Sequence, residues 1–232
     1  MKPLVLVDFD GTIVHQDATD LILERFALPE WREVEQDWVA GRIGSRECLA
    51  RQVDLVRASE ADLDSLIEEI EIDPAFPTFT SLCRDLGYAV VVGSDGLDRV
   101  IGAVLGRAGI DLPTVSNRLV QTGVDRWRVE FPHFHDNCEV ASGTCKCAIA
   151  NPATGLAVLV GDGRSDFCAA TEAKWVLAKG ALARHCRQEG IPHSRIEGFA
   201  DAVDVIRTLS RHILASPASP APQDVAAGAQ HA

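Results

Sequence analysis

Three stretches of the chain are apolar at every position: 4–7, 88–92 and 156–160. A strand with one wet face would alternate, so continuous apolar runs of this length read as strands buried on both faces of a parallel sheet. Between residues 15 and 75 the spacing changes to three and four. Leu21, Ile22 and Phe26 form one face, Trp31, Val34 and Trp38 a second, Cys48, Leu49, Val53 and Val56 a third, and Leu63, Leu66, Ile67 and Ile70 a fourth. This predicts four short helices, with Asp17, Ser45 and Ser59 as N-caps and breaks near Pro29 and Gly41.

From Phe76 onward, helical and strand patterns alternate. A helix near 79–86 leads to the strand over 88–92, then Gly93-Ser94-Asp95-Gly96, then a helix to about residue 108. A strand pair is predicted at 115–120 and 127–131 around Gly123. A polar loop over 132–143 precedes a helix carrying Lys146, and the 156–160 strand ends in Gly161-Asp162-Gly163. A helix over 165–171, a strand over 175–178 and helices around 181–188 and 200–214 follow. The expected fold class is α/β, a Rossmann-like parallel sheet core with right-handed crossovers and an inserted helical cap domain. The core takes residues 1–14 and 76–214, the cap 15–75. The Pro/Ala/Gln-rich residues 215–232 read as a disordered tail.

Composition narrows the partners. The 232 residues carry a net charge of −12, which argues against nucleic acid and against a polybasic membrane patch. No apolar run approaches the roughly 18 residues of a membrane span. The first apolar run stops at Asp8 without a signal-peptide pattern. Seven scattered cysteines, an odd number, suggest reduced thiols and a cytoplasmic protein. Cys138, Cys145 and Cys147, with His133 and His135 nearby, do not have the spacing of a tetrahedral zinc site, so packing thiols are the plain reading. Residues 15–75 hold 16 Asp and Glu against six Arg and no Lys. Solvated helix faces account for such an excess, and so does a substrate bearing an amine or choline.

The candidate chemistry sits at the strand ends. Asp8 and Asp10 follow the first apolar run, Ser94 and Asp95 the second, and Asp162 and Asp166 the third. In a parallel sheet these ends converge on one crevice. Strand alternation would point Asp8 and Asp10 to the same side, with Phe9 opposite. Clustered carboxylates repel one another and call for a hard divalent cation; Mg²⁺ suits one or two carboxylates plus substrate phosphate. Lys146, one of only four lysines, lies between the last two motifs.

Asp8-Phe9-Asp10-Gly11-Thr12, Ser94, Lys146 and Gly161-Asp162 with Asp166 resemble, in order and spacing, the four motifs of the haloacid dehalogenase superfamily. The helical insert after the first motif resembles the cap of the phosphoserine-phosphatase-like branch. Gly143-Thr144-Cys145-Lys146 is most similar to the methionine-salvage group that dephosphorylates 2-hydroxy-3-keto-5-methylthiopentenyl phosphate. The resemblance implies a phosphatase of a small phosphorylated metabolite. Asp8 is then the nucleophile and Asp10 the acid and base. Asp8, the Asp10 carbonyl and Asp162 hold Mg²⁺, and Asp166 supports the metal shell and Lys146. Ser94 and Lys146, with Gly11 and Thr12, bind the phosphoryl group. Asp17, at the position of a substrate-binding glutamate in phosphoserine phosphatases, and Asp95 are candidate substrate contacts. Asp10 argues against a dehalogenase, which has no leaving group to protonate. The absence of a cap lysine argues against a Schiff-base phosphonate hydrolase. A phosphomutase shares both aspartates. A non-catalytic binding protein on this fold would be favoured by loss of Asp8, Asp10, Lys146 or Asp162, and all four are present.

Overall fold

The computed structural model describes residues 2–138, 140–150 and 156–213. Its strands are β1 (Leu4–Val7), β2 (Ala89–Leu97), β3 (Thr114–Gln121), β4 (Trp127–Glu130), β5 (Leu156–Gly161), β6 (Trp175–Ala178) and β7 (His193–Arg195). They form one sheet in the order β4-β3-β2-β1-β5-β6-β7. Every neighbouring pair is parallel except the β3–β4 hairpin.

β1 lies at the centre, paired through Val5 with Val90 on one side and Val158 on the other. Its four residues serve two cores. Val5 and Val7 pack into a cluster with Phe79, Val92 and Val158. Leu4 and Leu6 pack on the opposite face with Leu159, Val176 and Leu182. That two-sided burial is why the strand shows no alternation.

The helices are α1 (Ala18–Phe26), α2 (Trp31–Val39), α3 (Ser45–Val53), α4 (Glu60–Glu68), α5 (Phe76–Asp85), α6 (Asp98–Arg107), α7 (Lys146–Ile149), α8 (Phe167–Glu172), α9 (Gly180–Glu189) and α10 (Phe199–Ile213). The first four fall within one segment, residues 14–73. Its two ends are pinned together by the Val14–Ile72 bridge and by Asp73 N–H donating to the Ile13 carbonyl at 2.8 Å. Asp17 caps α1, with Oδ1 accepting from the N–H groups of Thr19 and Asp20 at 2.9 and 3.0 Å. Ser59 and Asp62 form a reciprocal capping box on α4. Ser45 does not cap α3 as expected; it is the first helical residue, after Gly44. Its hydroxyl instead accepts from Trp38 Nε1 at 3.0 Å, tying α2 to α3.

Two further differences from expectation have local causes. β2 continues through Ser94-Asp95-Gly96 to Leu97, whereas the apolar run predicts a strand ending at residue 92. Gly93 is there for close packing: a Cβ on it would stand 2.7 Å from Leu6 Cδ1. β7, of sequence His-Ser-Arg, has no apolar signal because it is an edge strand pairing only with β6. No helix among the described residues is long and apolar enough to cross a membrane. The tail expected over 215–232 lies outside the described residues.

Candidate active site

β1 ends at Val7, and the chain then opens into a wide turn closed by Val14 N–H on the Phe9 carbonyl at 3.1 Å. Asp8 remains anchored to the sheet through its N–H on Val160 O at 2.9 Å. Phe9 is fully buried in the core. Asp10 is extended, and Gly11 follows at φ +66°. A side chain at Gly11 would be strained there, and its Cβ would lie 2.6 Å from Asp162 Oδ2. Asp8 and Asp10 do face one cavity, but this turn achieves it, with the strand already ended.

Lys146 is the pivot of the site and is almost fully buried. Its Nζ lies 2.8 Å from Asp8 Oδ1 and 2.6 Å from Asp166 Oδ1, and donates to Ser165 Oγ at 3.1 Å. Asp166 Oδ2 accepts from the N–H groups of Asp162 and Gly163 at 3.1 and 3.2 Å. Both Asp166 oxygens are therefore committed, and the residue fixes the start of the loop after β5. Thr12 Oγ1 donates to Asp162 Oδ1 at 3.2 Å, which gives that hydroxyl a partner other than phosphate. Asp10 Oδ1 accepts from Ala18 N–H at 2.9 Å, linking the site to the first turn of α1. Ser94 Oγ stands 3.5 Å from Asp10 Oδ2 and accepts from Gly96 N–H at 2.9 Å. Asp95 lines the same cavity. Its Oδ1 is held by Asn117 Nδ2 and Thr144 N–H at 3.0 and 2.9 Å, so it fastens the loop before Lys146 to the sheet.

The charges are unbalanced. Burial, then Asp166, pushes the Asp8 carboxyl up, against the pull of Lys146. Asp10 is raised to about 8 by burial and by Asp17. Asp162 is raised by burial and by Asp166. For Lys146, the cost of burial is overcome by Asp166 and Asp8, and its pKa rises. Oxygens of Asp8, Asp162 and Asp166 lie within 4.8 Å of one another. This all-oxygen donor set fits a hard divalent cation such as Mg²⁺. With Asp166 committed, Asp8 and Asp162 are the carboxylates left to hold it.

A stability test follows from Asp10. Its carboxyl keeps a proton in the folded state at pH values where the unfolded chain has lost it, because the folded pKa of about 8 lies far above the roughly 4 of a free aspartate. Stability from this group is fully present below about pH 4 and is lost as pH rises through about 8. The melting temperature of metal-free protein should fall over that window, and the slope should shrink in Asp10→Asn. Mg²⁺ should raise the melting temperature more at the alkaline end. A slope unchanged by Asp10→Asn would refute the assignment.

The cavity above these groups measures about 870 Å³. Its far wall comes from α1, α2 and α3, and includes Asp17, Asp20, Glu35, Trp38 and Gln52. Asp20 is raised to about 6 by burial and by Asp17, Glu35 and Glu24. The motif reading did not single out Glu35, Trp38, Gln52, Arg164 or Ser165, all of which line the cavity. Glu35 and Gln52 had a faint signal as polar residues beside the apolar faces of their helices. Glu35 accepts from Gln52 at 2.9 Å. The Arg164 guanidinium lies 5.6 Å over the Trp38 ring, joining the loop after β5 to α2.

The cysteines correct one expectation. Cys147 and Cys168 form a disulfide, with Cα atoms 6.1 Å apart, while Cys48, Cys83, Cys138, Cys145 and Cys186 are free. Spacing along the chain did not show that α7 and α8 pack side by side. Among the described residues, the only group of three or more His, Cys, Asp or Glu placed to hold a metal is the carboxylate cluster. Cys138 Sγ instead meets Ser142 Oγ at 3.2 Å.

The sequence profile of haloacid dehalogenase-like hydrolase matches residues 5–171. The chain is 29% identical to a 2-hydroxy-3-keto-5-methylthiopentenyl-1-phosphate phosphatase of Brevibacillus brevis, over 92% of this chain and 99% of that protein. It is 30% identical to the protein of the same name from Geobacillus kaustophilus, over 90% and 97%. A solved phospho-aspartyl intermediate analogue of phosphoserine phosphatase shares the fold, with a TM-score of 0.66 and 21% identity over 88% of this chain and 98% of that one. The chain belongs to the haloacid dehalogenase-like hydrolases and is a phosphatase among them.

Proposed function

We propose that this phosphatase hydrolyses a small phosphomonoester in two steps through an aspartyl-phosphate on Asp8. The observation that supports it most is Lys146 Nζ at 2.8 Å from Asp8 Oδ1, with Asp10 in the wall of the same cavity. One Asp8 oxygen is held by Lys146 and by its neighbour's N–H, which fixes the carboxylate for in-line attack. Asp10, tied to Ala18 N–H, carries a proton near neutral pH and gives it to the leaving oxygen. It then takes a proton from the water that cleaves the acyl-phosphate. Ser94 and Lys146 receive the phosphoryl oxygens. Mg²⁺, held by the Asp8 and Asp162 carboxylates and the Asp10 carbonyl, would offset charge on the transferring group.

The named relatives favour a substrate like 2-hydroxy-3-keto-5-methylthiopentenyl-1-phosphate. The cavity wall favours a second reading. Asp17, Asp20 and Glu35 face the cavity, while Arg42 on the same wall is paired with Asp37 at 2.7 Å. That surface suits a cationic group distal to the phosphate. Phosphate release from the methylthio enol phosphate, phosphoethanolamine, phosphocholine and neutral sugar phosphates separates the two. The first reading expects the highest kcat/KM for the enol phosphate, the second for the cationic esters. Equal rates on all would retire both substrate assignments and leave the chemistry standing.

A further inference from the structure

A covalent bond runs beside the Lys146–Asp166 ion pair. Cys147 follows Lys146 directly, Cys168 comes two residues after Asp166, and the two sulfurs are joined. The bridge links positions 21 apart in sequence, and it links the same two segments as the ion pair. α7, which carries Lys146, is only four residues long. A single turn does not hold its shape by its own hydrogen bonds. Within and beside it, the closing bonds are Ala150 N–H to Lys146 O at 2.9 Å and Ala148 N–H to Cys145 O at 3.1 Å. From this short element a long flexible side chain must place its ammonium between two buried carboxylates at 2.8 and 2.6 Å. The disulfide fastens α7 to α8, at whose start Asp166 stands.

We propose that the Cys147–Cys168 disulfide positions Lys146, so that phosphoryl transfer at Asp8 depends on the redox state of this pair. The inference rests on the phosphatase chemistry proposed above. Both cysteines are half-buried, within reach of a small dithiol. The reductant's thiolate attacks one sulfur, breaks the S–S bond and forms a mixed disulfide. Its second thiol closes onto that linkage. Cys147 and Cys168 leave as thiols, having gained two electrons and two protons, and the dithiol is oxidised to a cyclic disulfide.

The test uses the full chain with Mg²⁺ and p-nitrophenyl phosphate. Unfolded protein should titrate five thiols before reduction and seven after. Dithiothreitol should lower kcat/KM about tenfold, the order expected for a small misplacement of a group that touches the reacting phosphoryl. It should weaken inhibition by inorganic phosphate by a similar factor, with far-ultraviolet circular dichroism unchanged. Reoxidation should restore both. The Cys147→Ser/Cys168→Ser variant should show the reduced-form values with or without dithiothreitol, which separates this pair from the other five cysteines. Seven thiols before reduction would overturn the proposal. So would a lower melting temperature with unchanged kcat/KM and phosphate inhibition, the result of a bond that only stabilises. No p-nitrophenolate from the oxidised protein would instead overturn the phosphatase chemistry itself.

Discussion

Asp8→Asn is expected to lower phosphate release by a factor on the order of 10⁴ or more while leaving the fold intact. The amide keeps the shape of the carboxylate and an oxygen for Lys146 Nζ, now 2.8 Å away. It has no charge with which to attack phosphorus, and it is a poorer metal ligand. The same change relieves repulsion: burial, Asp166 and Asp162 all disfavour the Asp8 anion. Metal-free Asp8→Asn should therefore be at least as stable as the parent in urea denaturation. Loss of activity together with retained or raised stability distinguishes a nucleophile from a structural acid. Retained turnover would remove Asp8 from the mechanism.

Lys146→Met is expected to damage both stability and turnover. Lys146 is 1% exposed, and its ammonium is shared by Asp8 and Asp166. Methionine fills much the same volume but leaves the two carboxylates facing each other. Removing one partner of a buried ion pair costs about 3–5 kcal/mol. Loss of the cation at the phosphoryl oxygens should lower kcat/KM on the order of 10³-fold. Lys146→Arg should rescue poorly, because a planar guanidinium does not reproduce a compact ammonium between two carboxylates. Urea midpoints and kinetics on one preparation check both effects. Unchanged stability in the methionine variant would contradict the charge balance drawn for the site.

Much of this site is legible in the sequence because its chemistry sits where periodicity breaks. The apolar runs at β1, β2 and β5 end in Asp8, Ser94 and Asp162, and parallel pairing brings those ends together. Asp17 and Ser59 are readable as caps because a side-chain oxygen satisfies N–H groups only two or three residues away. What escapes the sequence is long-range. Nothing local shows that Thr12 serves Asp162, that Asp95 fastens Asn117 and Thr144, or that Cys147 meets Cys168. Each depends on segments juxtaposed by the sheet. β7 escapes for a different reason: a polar edge strand buries too little to leave an apolar pattern. The cavity wall is intermediate, since the acidic excess of residues 15–75 is plain in the sequence, while its concentration at Asp17, Asp20 and Glu35 requires the fold that brings α1, α2 and α3 around one cavity.

The central claim is that the phosphoryl group passes through Asp8. Asp10→Asn isolates that step, because a good leaving group needs little help from an acid, whereas the water that cleaves the intermediate still needs a base. Asp10→Asn mixed with ³²P-labelled p-nitrophenyl phosphate and Mg²⁺, quenched in acid and digested, should release p-nitrophenolate in a burst equal to the enzyme present. The label should lie on the peptide containing Asp8. Release of p-nitrophenolate with no label on that peptide would contradict the account.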